Sequence, residues 1–553
     1  MPWSQTYDPF HRPAISTAVA LIPVLVLLGL IALGHVRAWT AALIGLLTAL
    51  LVAVGAFGMP ASAALGAAGY GTAYGLFPIG WIVLNVLFLH RLTVESGRFE
   101  ALRIQLAGIA PDPRVQVILI AFCFGAFIEG AAGFGAPVAI TAALLMQLGF
   151  SPVHASGLSL IANTAPVAFG SIGIPITTLA QVTGLDVLKL SAMAGRQLPV
   201  FSAIIPFWIV CAMGGWRSAL GVWPVAVAAG GAFVITQFLV SNFHGPWVVD
   251  SLAALASIAA VLAVLRFWQP SDSPVFTRHP TDSAAKPELT TPPLNTVAGS
   301  HSKLSAWVPW LVLTGFIFVW GMQPVKESLD RLAATSFAVP GLHLKVQRVP
   351  PVVAEPRPEK AEFKLNLLSA TGTGILLAGI CSGFILGFSP RQLLRIWLAT
   401  AVRIRGSLLT IAAMLALGNV TKYSGTDATL GLALAHTGAF YPFFGTLLGW
   451  LGVALTGSDT ASNVLFGSLQ RITAEQLGLS PYLMAAANST GGVMGKMIDA
   501  QSIVVAGTAT QQHGHEGRIL RFVFLHSLVL AVLMGLWIAL MAGWPWLSRF
   551  VIR

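Results

Sequence analysis

The sequence predicts an all-α polytopic membrane protein whose core is an inverted repeat of broken or re-entrant helices. Of its 553 residues, 56% are hydrophobic and only 9% are charged, whereas soluble domains carry about 25% charged residues. Two apolar runs, one near residue 130 and one near residue 458, are interrupted by glycines, polar residues and one acid each. The composition predicts roughly 12–14 transmembrane helices, and the interruptions predict that some of them do not cross in one piece.

Apolar segments of suitable length follow one another along the chain. No cleavage site with small residues and polar flanks follows the first, which we therefore interpret as a membrane helix and not as a signal peptide. We divide the chain into an N-terminal half (1–268), a flexible linker rich in Pro, Ser and Thr (269–305), and a C-terminal half (306–553) with a polar loop at 326–364. The expected spans lie near residues 14–34, 38–57, 72–90, 115–130, 152–172, 198–213, 221–241, 249–267, 306–323, 368–389, 404–420, 441–456, 480–494 and 519–541.

Basic residues predict the orientation. The formal net charge is +11, which we attribute to Arg and Lys in short cytoplasmic loops and not to nucleic-acid binding. The loop from Arg91 to Arg114 and the acid-free stretch from Arg391 to Arg405 are therefore expected in the cytoplasm. Placing Arg37 there as well leaves the N-terminus outside.

The first interruption contains Glu129, within the sequence EGAAGFGAP. A carboxylate is unfavourable in hydrocarbon and is tolerated where it lines a polar cavity. The apolar arm that follows, residues 136–148, would reach about 20 Å as a helix, which is short of the roughly 30 Å membrane core. A re-entrant hairpin is therefore favoured over a full span. Its expected backbone breakers are Gly130, Gly133, Gly135 and Pro137.

A second break follows within the next helix, which starts at the Ser-Pro pair 151–152. Pro166 lacks an N–H and leaves the carbonyl of Ala162 free, beside the side chains of Asn163 and Thr164. Such a break exposes polar backbone groups inside the membrane.

The C-terminal half repeats this order: an apolar run, a break with one acid, a Ser-Pro pair, and an Asn followed by Ser and Thr. If the Arg391–Arg405 stretch is cytoplasmic, the second copy enters from the opposite side, which predicts an inverted repeat and a transporter with its site between the copies. Chance recurrence of Gly- and Ser-rich breaks is the alternative. The residues concerned are Gly457, Ser458, Asp459, Ser480, Pro481, Asn488, Ser489 and Thr490.

Four motifs of the sequence closely resemble the lactate permease family. The resemblance begins near Gln5 and covers nearly the whole chain apart from the linker and part of the polar loop. It implies proton-coupled uptake of L-lactate, D-lactate and glycolate across the bacterial cytoplasmic membrane, on a fold of inverted repeats with paired hairpins. The motifs are FCFGAFIEGAAGFGAPVAI (122–140), NTAPVAFG (163–170), LTGSDTASN (455–463) and NSTGGVMGKMI (488–498).

The chain departs from the family's pattern at one place in the last motif. Asp499 and Ala500 stand where Ser-Pro is expected before Gln501 and Ser502. This departure adds a carboxylate and removes a helix breaker, which puts the local geometry in doubt.

A 2-hydroxycarboxylate needs positive potential, a few hydrogen-bond donors and a small apolar wall. Half-helix N-termini at the breaks 130–137 and 457–463 can supply oriented N–H groups. Lys496 and Arg196 are the candidate cations, and for each a position at the rim of the membrane is the alternative. The predicted substrate-binding residues are Asn163, Thr164, Asn488, Ser489, Thr490, Lys496 and Arg196.

Proton coupling needs a group that binds a proton at physiological pH. Glu129, among small and apolar neighbours, is the first candidate, and Asp459 is the second. For both, capping of a half-helix N-terminus is the structural alternative. Protonating a carboxyl while binding an anion would keep the moving site nearly neutral.

We expect no cofactor and no metal site, because His513 and His515 lack a second ligand motif nearby. The expected partners are small anions, protons and the lipid bilayer, with no nucleic acid. A sodium-coupled carboxylate symporter is the nearest alternative function, because Asn, Ser and Thr loops can also coordinate Na⁺. A passive anion channel is more remote, because a channel has no need for titratable acids at both breaks. A membrane-embedded enzyme is the most remote alternative, since no nucleophile–base pair or H-E-x-x-H motif is found.

Overall fold

The computed structural model is a bundle of α-helices with small β-sheets on one end. Most of the linker at 269–305 lies outside the residues that the structure describes, as do Gly133, Gly135, His513 and His515. The described residues are 2–32, 36, 38–99, 101, 105, 109, 111–131, 136–270, 306–353, 355–510, 512 and 516–553.

Twelve described helices form the N-terminal half. A π-helical segment, Gly75–Gly80, joins the third helix to the fourth, and the two form one continuous, bent helix. The helices are α1 (Pro13–Ala32), α2 (Ala38–Leu51), α3 (Ala61–Tyr74), α4 (Trp81–Glu95), α5 (Pro113–Ala131), α6 (Ala136–Gln147), α7 (Pro152–Ala162), α8 (Gly170–Thr183), α9 (Val187–Gln197), α10 (Pro199–Leu220), α11 (Trp223–Phe243) and α12 (Val249–Phe267).

The C-terminal half contains the longest described helix, α16. A capping box between Ser389 and Gln392 begins it, and Gly425 ends it in the left-handed conformation. The helices are α13 (Val308–Gly321), α14 (Gln323–Ala333), α15 (Thr371–Ile385), α16 (Pro390–Ser424), α17 (Thr426–Ala435), α18 (Tyr441–Thr456), α19 (Asp459–Gln476), α20 (Pro481–Gly495), α21 (Ala500–Ala509) and α22 (Glu516–Gly543).

The helices confirm the prediction of a polytopic membrane protein. In the described part of the chain, 8 helices are long and apolar enough to cross a membrane, or up to 10 if each of two bent pairs is one span. The bent pairs are α7 with α8, at 63°, and α13 with α14, at 76°. The predicted roughly 12–14 spans are reached when at least two of the shorter apolar helices α1, α6, α15 and α18 also cross.

The polar region at 326–364 folds into α14 and two small sheets, which the all-α prediction missed. In one sheet β2 (Ala334–Ala338) pairs antiparallel with β5 (Glu362–Asn366). In the other, β3 (Val346–Arg348) lies between β4 (Arg357–Pro358), which is antiparallel to it, and the N-terminal β1 (Trp3–Ser4), which is parallel. Buried Leu342, Val346 and Ala361 join these sheets to the apolar core. We call the end of the bundle with these sheets the sheet face.

The N-terminal segment closes the end of α16 at the sheet face. The Gln5 amide Nε2 donates to the carbonyls of Lys422 and Tyr423, at 3.1 and 2.9 Å. These carbonyls have no partner within the helix, because the last turn of a helix leaves its C=O groups free. The C-terminus lies at the same face, since Ser480 bonds the carbonyl of Ile552 and nearby Gln476 bonds that of Pro351, between β3 and β4.

The two interrupted segments have the same layout and opposite directions. In the first, α5 and α6 pack together, and α7 bends into α8. In the second, α18 and α19 both pack on α20, which leads to α21. Helix α8 ends at the sheet face, where Arg471 of α19 donates to the carbonyl of Thr183. Helix α20 instead starts at the sheet face, beside Ser480, so its direction is reversed.

Glycines set the distance between α18 and α20. A Cβ atom added to Gly449 would lie 2.1 Å from the carbonyl oxygen of Asn488, and one added to Gly491 would lie 2.3 Å from that of Thr446. No side chain fits at either position, which is how small residues let membrane helices approach closely. This close approach places Ser489 within hydrogen-bonding distance of Asp459, the first residue of α19.

Candidate functional site

A small cavity of about 80 Å³ lies where the breaks of the two repeats meet. Five of the residues singled out in the sequence line it: Glu129 from the first repeat and Gly457, Ser458, Asp459 and Lys496 from the second. The remaining lining residues are Val167, Gly170, Ser171, Ile174, Pro175 and Thr460. The structure therefore brings both interrupted segments to one point.

Glu129 lies near the end of α5 and is 5% exposed. Gly170 leaves it room, because a Cβ atom there would lie 2.6 Å from Oε1 of Glu129. One oxygen of this carboxyl, Oε1, therefore lies at the cavity wall beside Gly170. The other, Oε2, is buried without a hydrogen-bond partner among the described residues.

The wall beside Glu129 is a turn that the sequence analysis missed. Ser171, Ile172 and Gly173 have φ values of 46°, 59° and 71°, all in the left-handed region. This conformation is unfavourable for a β-branched residue such as Ile172 and persists where the surroundings enforce it. The Gly-Ser-Ile-Gly sequence at 170–173 was the available signal, because glycines on both sides permit such a turn.

The second repeat contributes the start of a helix. Gly457 takes the left-handed conformation, with φ 73°, and Ser458 caps α19 by accepting a hydrogen bond from the N–H of Ala461 at 3.3 Å. Asp459 is the first residue of α19, where the helix dipole favours an anion. Its Oδ2 accepts a hydrogen bond from the Ser489 hydroxyl at 2.5 Å, while Oδ1 has no partner among the described residues.

Lys496 supplies the positive charge of the cavity wall. Its Nζ donates to the carbonyl oxygen of Gly457 at 2.6 Å and forms an ion pair with Oδ2 of Asp499 at 3.3 Å. It also interacts electrostatically with Glu129 and Asp459. One ammonium group therefore stands among three carboxyl groups.

Asp499 shows how the chain accommodates its departure from the Ser-Pro pattern. Its Oδ1 accepts a hydrogen bond from the backbone N–H of Ser502 at 2.7 Å, which makes it the N-cap of α21. Helix α20 still ends at Gly495, so the break between α20 and α21 forms without a proline. The added carboxylate both starts a helix and pairs with Lys496.

The polar residues of α20 are engaged in hydrogen bonds within the protein. Asn488 donates to Oδ1 of Asn463 at 2.9 Å, and Asn463 in turn donates to the carbonyl of Pro175 at 3.2 Å, which links the two repeats. The Thr490 hydroxyl donates to Oε1 of Gln197 at 2.7 Å. These side chains support the walls of the cavity and do not line it. Asn463 and Gln197 were not singled out in the sequence.

The break in the first repeat holds Asn163 and Thr164. The Thr164 hydroxyl donates to the carbonyl of Ile161 at 2.7 Å. Asn163 is 2% exposed and faces Glu129, yet neither its amide nitrogen nor its oxygen has a partner of ordinary hydrogen-bond geometry among the described residues. Of the predicted breakers, Gly130 packs against α12, and Pro137 is buried in α6.

The structure places Arg196 outside the small cavity, so it does not bring this predicted substrate-binding residue to the other candidates. Its Nε donates to Oδ1 of Asn242, and its Nη1 donates to the carbonyl of Phe550, both at 2.9 Å. These bonds fasten the C-terminal segment at the sheet face, away from the cavity. Of the two predicted cations, Lys496 is the one among the described residues that line the cavity.

A larger vestibule of about 820 Å³ opens at the sheet face. Helix α8 runs from one cavity to the other, since Ile174 and Pro175 line the small cavity and Thr177 and Gln181 line the vestibule. Among the described lining residues, bases outnumber the acids Asp186 and Glu359. A cleft of one charge sign raises the local concentration of the opposite ion. The bases are Lys326, Arg348, Arg357, Lys360, Lys422 and Arg471.

Reversing charges in the vestibule should slow anion entry. We expect the double variant Arg357→Glu/Lys360→Glu to lower uptake at limiting substrate by roughly two- to tenfold, and the effect to shrink as salt is added. The measurement is initial uptake into vesicles at several ionic strengths. Lys345→Glu is the control, because Lys345 is an exposed base of the same region that does not line the vestibule. Equal effects of both variants, or no dependence on salt, would contradict the steering role.

A family model and several known proteins match this chain over almost its whole length. The family model described as L-lactate permease matches residues 16–543. The glycolate permease GlcA of Escherichia coli K12 is 45% identical over 97% of this chain and 97% of its own length. The L-lactate permeases of Escherichia coli K12 and Bacillus subtilis are 44% and 42% identical, each over 96% of this chain and 97% of its own length.

A solved structure aligns at a much greater distance. The YdaH transporter of Alcanivorax borkumensis matches 86% of this chain and 88% of its own, with 16% identity and a TM-score of 0.41. This likeness is too distant to place individual residues. The match to the family model and the identities to its members cover almost the entire sequence. The chain therefore belongs to the L-lactate permease family.

Proposed function

We propose that the protein is a secondary transporter that takes up L-lactate and related 2-hydroxymonocarboxylates, such as D-lactate and glycolate, together with protons. The observation that supports this most directly is the pairing of one cation, Lys496, with the acids Glu129 and Asp459 around a cavity between two inverted repeats. Relatives named for L-lactate and for glycolate point to the same substrate class.

Lys496 would bind the substrate carboxylate. Its Nζ has three donors, of which one is used on Gly457 and one faces Asp499, so a further donor is available. The cavity of about 80 Å³ suits a small anion, and Val167 and Ile174 offer an apolar wall for a methyl group. The hydroxyl of the substrate would lie near the capped start of α19, where Ser458 and Thr460 line the cavity.

Glu129 and Asp459 would hold the proton in this proposal. Both carboxyls are almost fully buried, with exposures of 5% and 3%, and each has an oxygen without a hydrogen-bond partner among the described residues. A charge in this setting is unfavourable, and binding a proton removes it. When a proton and an anion enter together, the net charge of the site stays the same.

We further propose that the sheet face lies outside the bacterial cytoplasmic membrane. Helix α16 ends at the sheet face beside Gln5, so its start, with Arg391 and Arg395, lies at the opposite end. The positive-inside rule places that basic end in the cytoplasm. Both chain ends and the vestibule would then face the periplasm, where an electropositive entrance favours capture of anions.

Transport in proteoliposomes tests this function. We expect labelled lactate to accumulate when an inward pH gradient is imposed without Na⁺, and unlabelled glycolate to compete with it. Accumulation driven only by a Na⁺ gradient would instead identify a sodium-coupled symporter. Equilibration without accumulation under either gradient would contradict coupled transport altogether.

A further inference from the structure

A further buried acid, Asp250, lies against the end of α5 that carries Glu129, and it has no part in the function proposed above. It is 1% exposed. A Cβ atom added to Gly130, the residue after Glu129, would lie 2.7 Å from the Cβ of Asp250 and 3.0 Å from the backbone nitrogen of Ser251. Helix α12 therefore packs directly against the end of α5, and the two carboxyl groups interact electrostatically.

Helix capping does not explain this acid. Asp250 is in the first turn of α12, where an acidic side chain commonly accepts a hydrogen bond from a free backbone N–H. The N-cap position is Val248, and no side-chain capping bond is made there. Both Oδ1 and Oδ2 of Asp250 are buried without a hydrogen-bond partner among the described residues. A fully buried carboxyl with two unsatisfied oxygens needs another ligand.

The surroundings of Asp250 offer no described cation as that ligand. Helices α8 and α11, which pack on α12, contain no acid, base or histidine. Helix α5 carries Glu129, and its base Arg114 is paired with Asp112 at 2.7 Å at the other end of that helix. Its Cys123 bonds the Ser257 hydroxyl at 3.1 Å.

Two further titratable groups lie in or against the segment that precedes α12. His244 stacks on Phe318 with ring centroids 4.5 Å apart, and Lys326 lies over the ring of Trp247 at 5.2 Å. Neither forms an ion pair with Asp250 at 4.0 Å or less in the described structure. Glu129 is thus the described group whose charge acts on Asp250.

Asn163 lies at the same location. Its side chain faces Glu129, it is 2% exposed, and both its polar atoms lack a partner of ordinary geometry. Buried polar atoms without a partner of ordinary geometry on Glu129, Asp250 and Asn163 therefore lie where α5 packs on α7 and on α12. Native proteins leave few buried polar groups unsatisfied, and such clusters mark sites that bind something.

We propose that Asp250 and Glu129 form one proton-binding pair, in which a single proton is held between two carboxyl groups. Lys496 acts on Glu129, whereas Asp250 has no cation among its described partners, so two ionised carboxyl groups here would repel each other in a medium of low dielectric constant. One proton removes one of the two charges and provides an O–H donor for the remaining carboxylate. Release of that proton restores the repulsion, which is the driving force for giving the proton up. This inference rests on the proton coupling proposed above and names a second residue for it.

The variant Asp250→Asn tests the pair in proteoliposomes, because Asn has nearly the same shape and cannot release a proton. We expect loss of lactate accumulation under an inward pH gradient and loss of lactate-dependent proton influx, recorded with an enclosed pH dye. Counterflow of labelled against unlabelled lactate should persist, because Lys496 is unchanged. Asp427→Asn is the matched control, since Asp427 is also a buried acid with an unpartnered oxygen but lines neither cavity.

Each result bears on the pair. Accumulation at the wild-type level in Asp250→Asn would overturn the proposal, and so would loss of both accumulation and counterflow, which would identify a structural role. The variant Asp250→Glu gives a second comparison, because a proton-binding role predicts more accumulation than in Asp250→Asn, and a packing role predicts less. If the wild-type protein itself does not accumulate lactate under a pH gradient, the failure belongs to the proposed coupling and not to Asp250.

Discussion

Glu129→Gln should separate lactate movement from proton movement. Gln has the shape of a protonated Glu but cannot release a proton, so the variant should still exchange lactate and lose the ability to concentrate it. A pH gradient of about one unit can sustain roughly tenfold accumulation at one proton per anion, and we expect this ratio to fall to about one. The measurement is accumulation and counterflow of labelled lactate in the same proteoliposomes.

The control for this change is Glu95→Gln. Glu95 pairs with Arg91 at 2.7 Å on an exposed helix surface, so the same chemical substitution there should leave accumulation intact. Accumulation at the wild-type level in Glu129→Gln would show that the proton is carried elsewhere, and Asp459→Asn would then be the variant to examine.

Lys496→Met should weaken substrate binding, and therefore lower both accumulation and counterflow at limiting lactate. A charge-assisted hydrogen bond to a carboxylate contributes about 1.5–3 kcal/mol, so its loss should weaken lactate affinity by roughly 10- to 100-fold. Substrate-induced protection of the purified protein against heat gives the affinity without a gradient. The expected result is that lactate stabilises the wild-type protein and not the variant.

The ion pair between Lys496 and Asp499 complicates a single substitution, because removing the lysine also leaves Asp499 buried and unpaired. Asp499→Ser keeps a helix-capping side chain and removes the charge. If Lys496 only neutralises Asp499, the double variant Lys496→Met/Asp499→Ser should recover transport. If Lys496 binds the substrate carboxylate, the double variant should remain inactive while Asp499→Ser alone stays active.

The convergence of Glu129, Asp459 and Lys496 could be anticipated from the sequence. Each lies at or near an interruption in an apolar run, and repeats of the same order place their interruptions at the same depth in a membrane. A charged residue in such a run has few other favourable places. Their direct hydrogen bonds could not be anticipated, because these depend on turns such as the one at Ser171–Gly173.

Asp250 and the sheets were not predicted, for two different physical reasons. Asp250 follows a short polar stretch and precedes an apolar helix, so from the sequence it resembles an ordinary helix-start acid. Only its packing on Gly130 distinguishes it. The strands are at most five residues long, and β1 pairs with a strand more than 300 positions away, so no periodic pattern marks them.

The position of Arg196 could not be decided from the sequence, because an arginine next to an apolar run looks the same whether it faces a cavity or the membrane rim. Its partners are a side chain on α11 and a carbonyl of the last residues of the chain. The sequence does not indicate that the C-terminal segment returns to this position.

The bond from Asn463 to Pro175 and the bond from Arg471 to Thr183 both join α8 to α19. One helix comes from each repeat, so the inverted copies are fastened to each other on two levels. During transport, α8 and α19 would therefore move together as one body with the bound substrate. The interface at which helices shift relative to each other would lie between this body and the other helices of the bundle. Crosslinking α8 to α19 should therefore leave the transport cycle running.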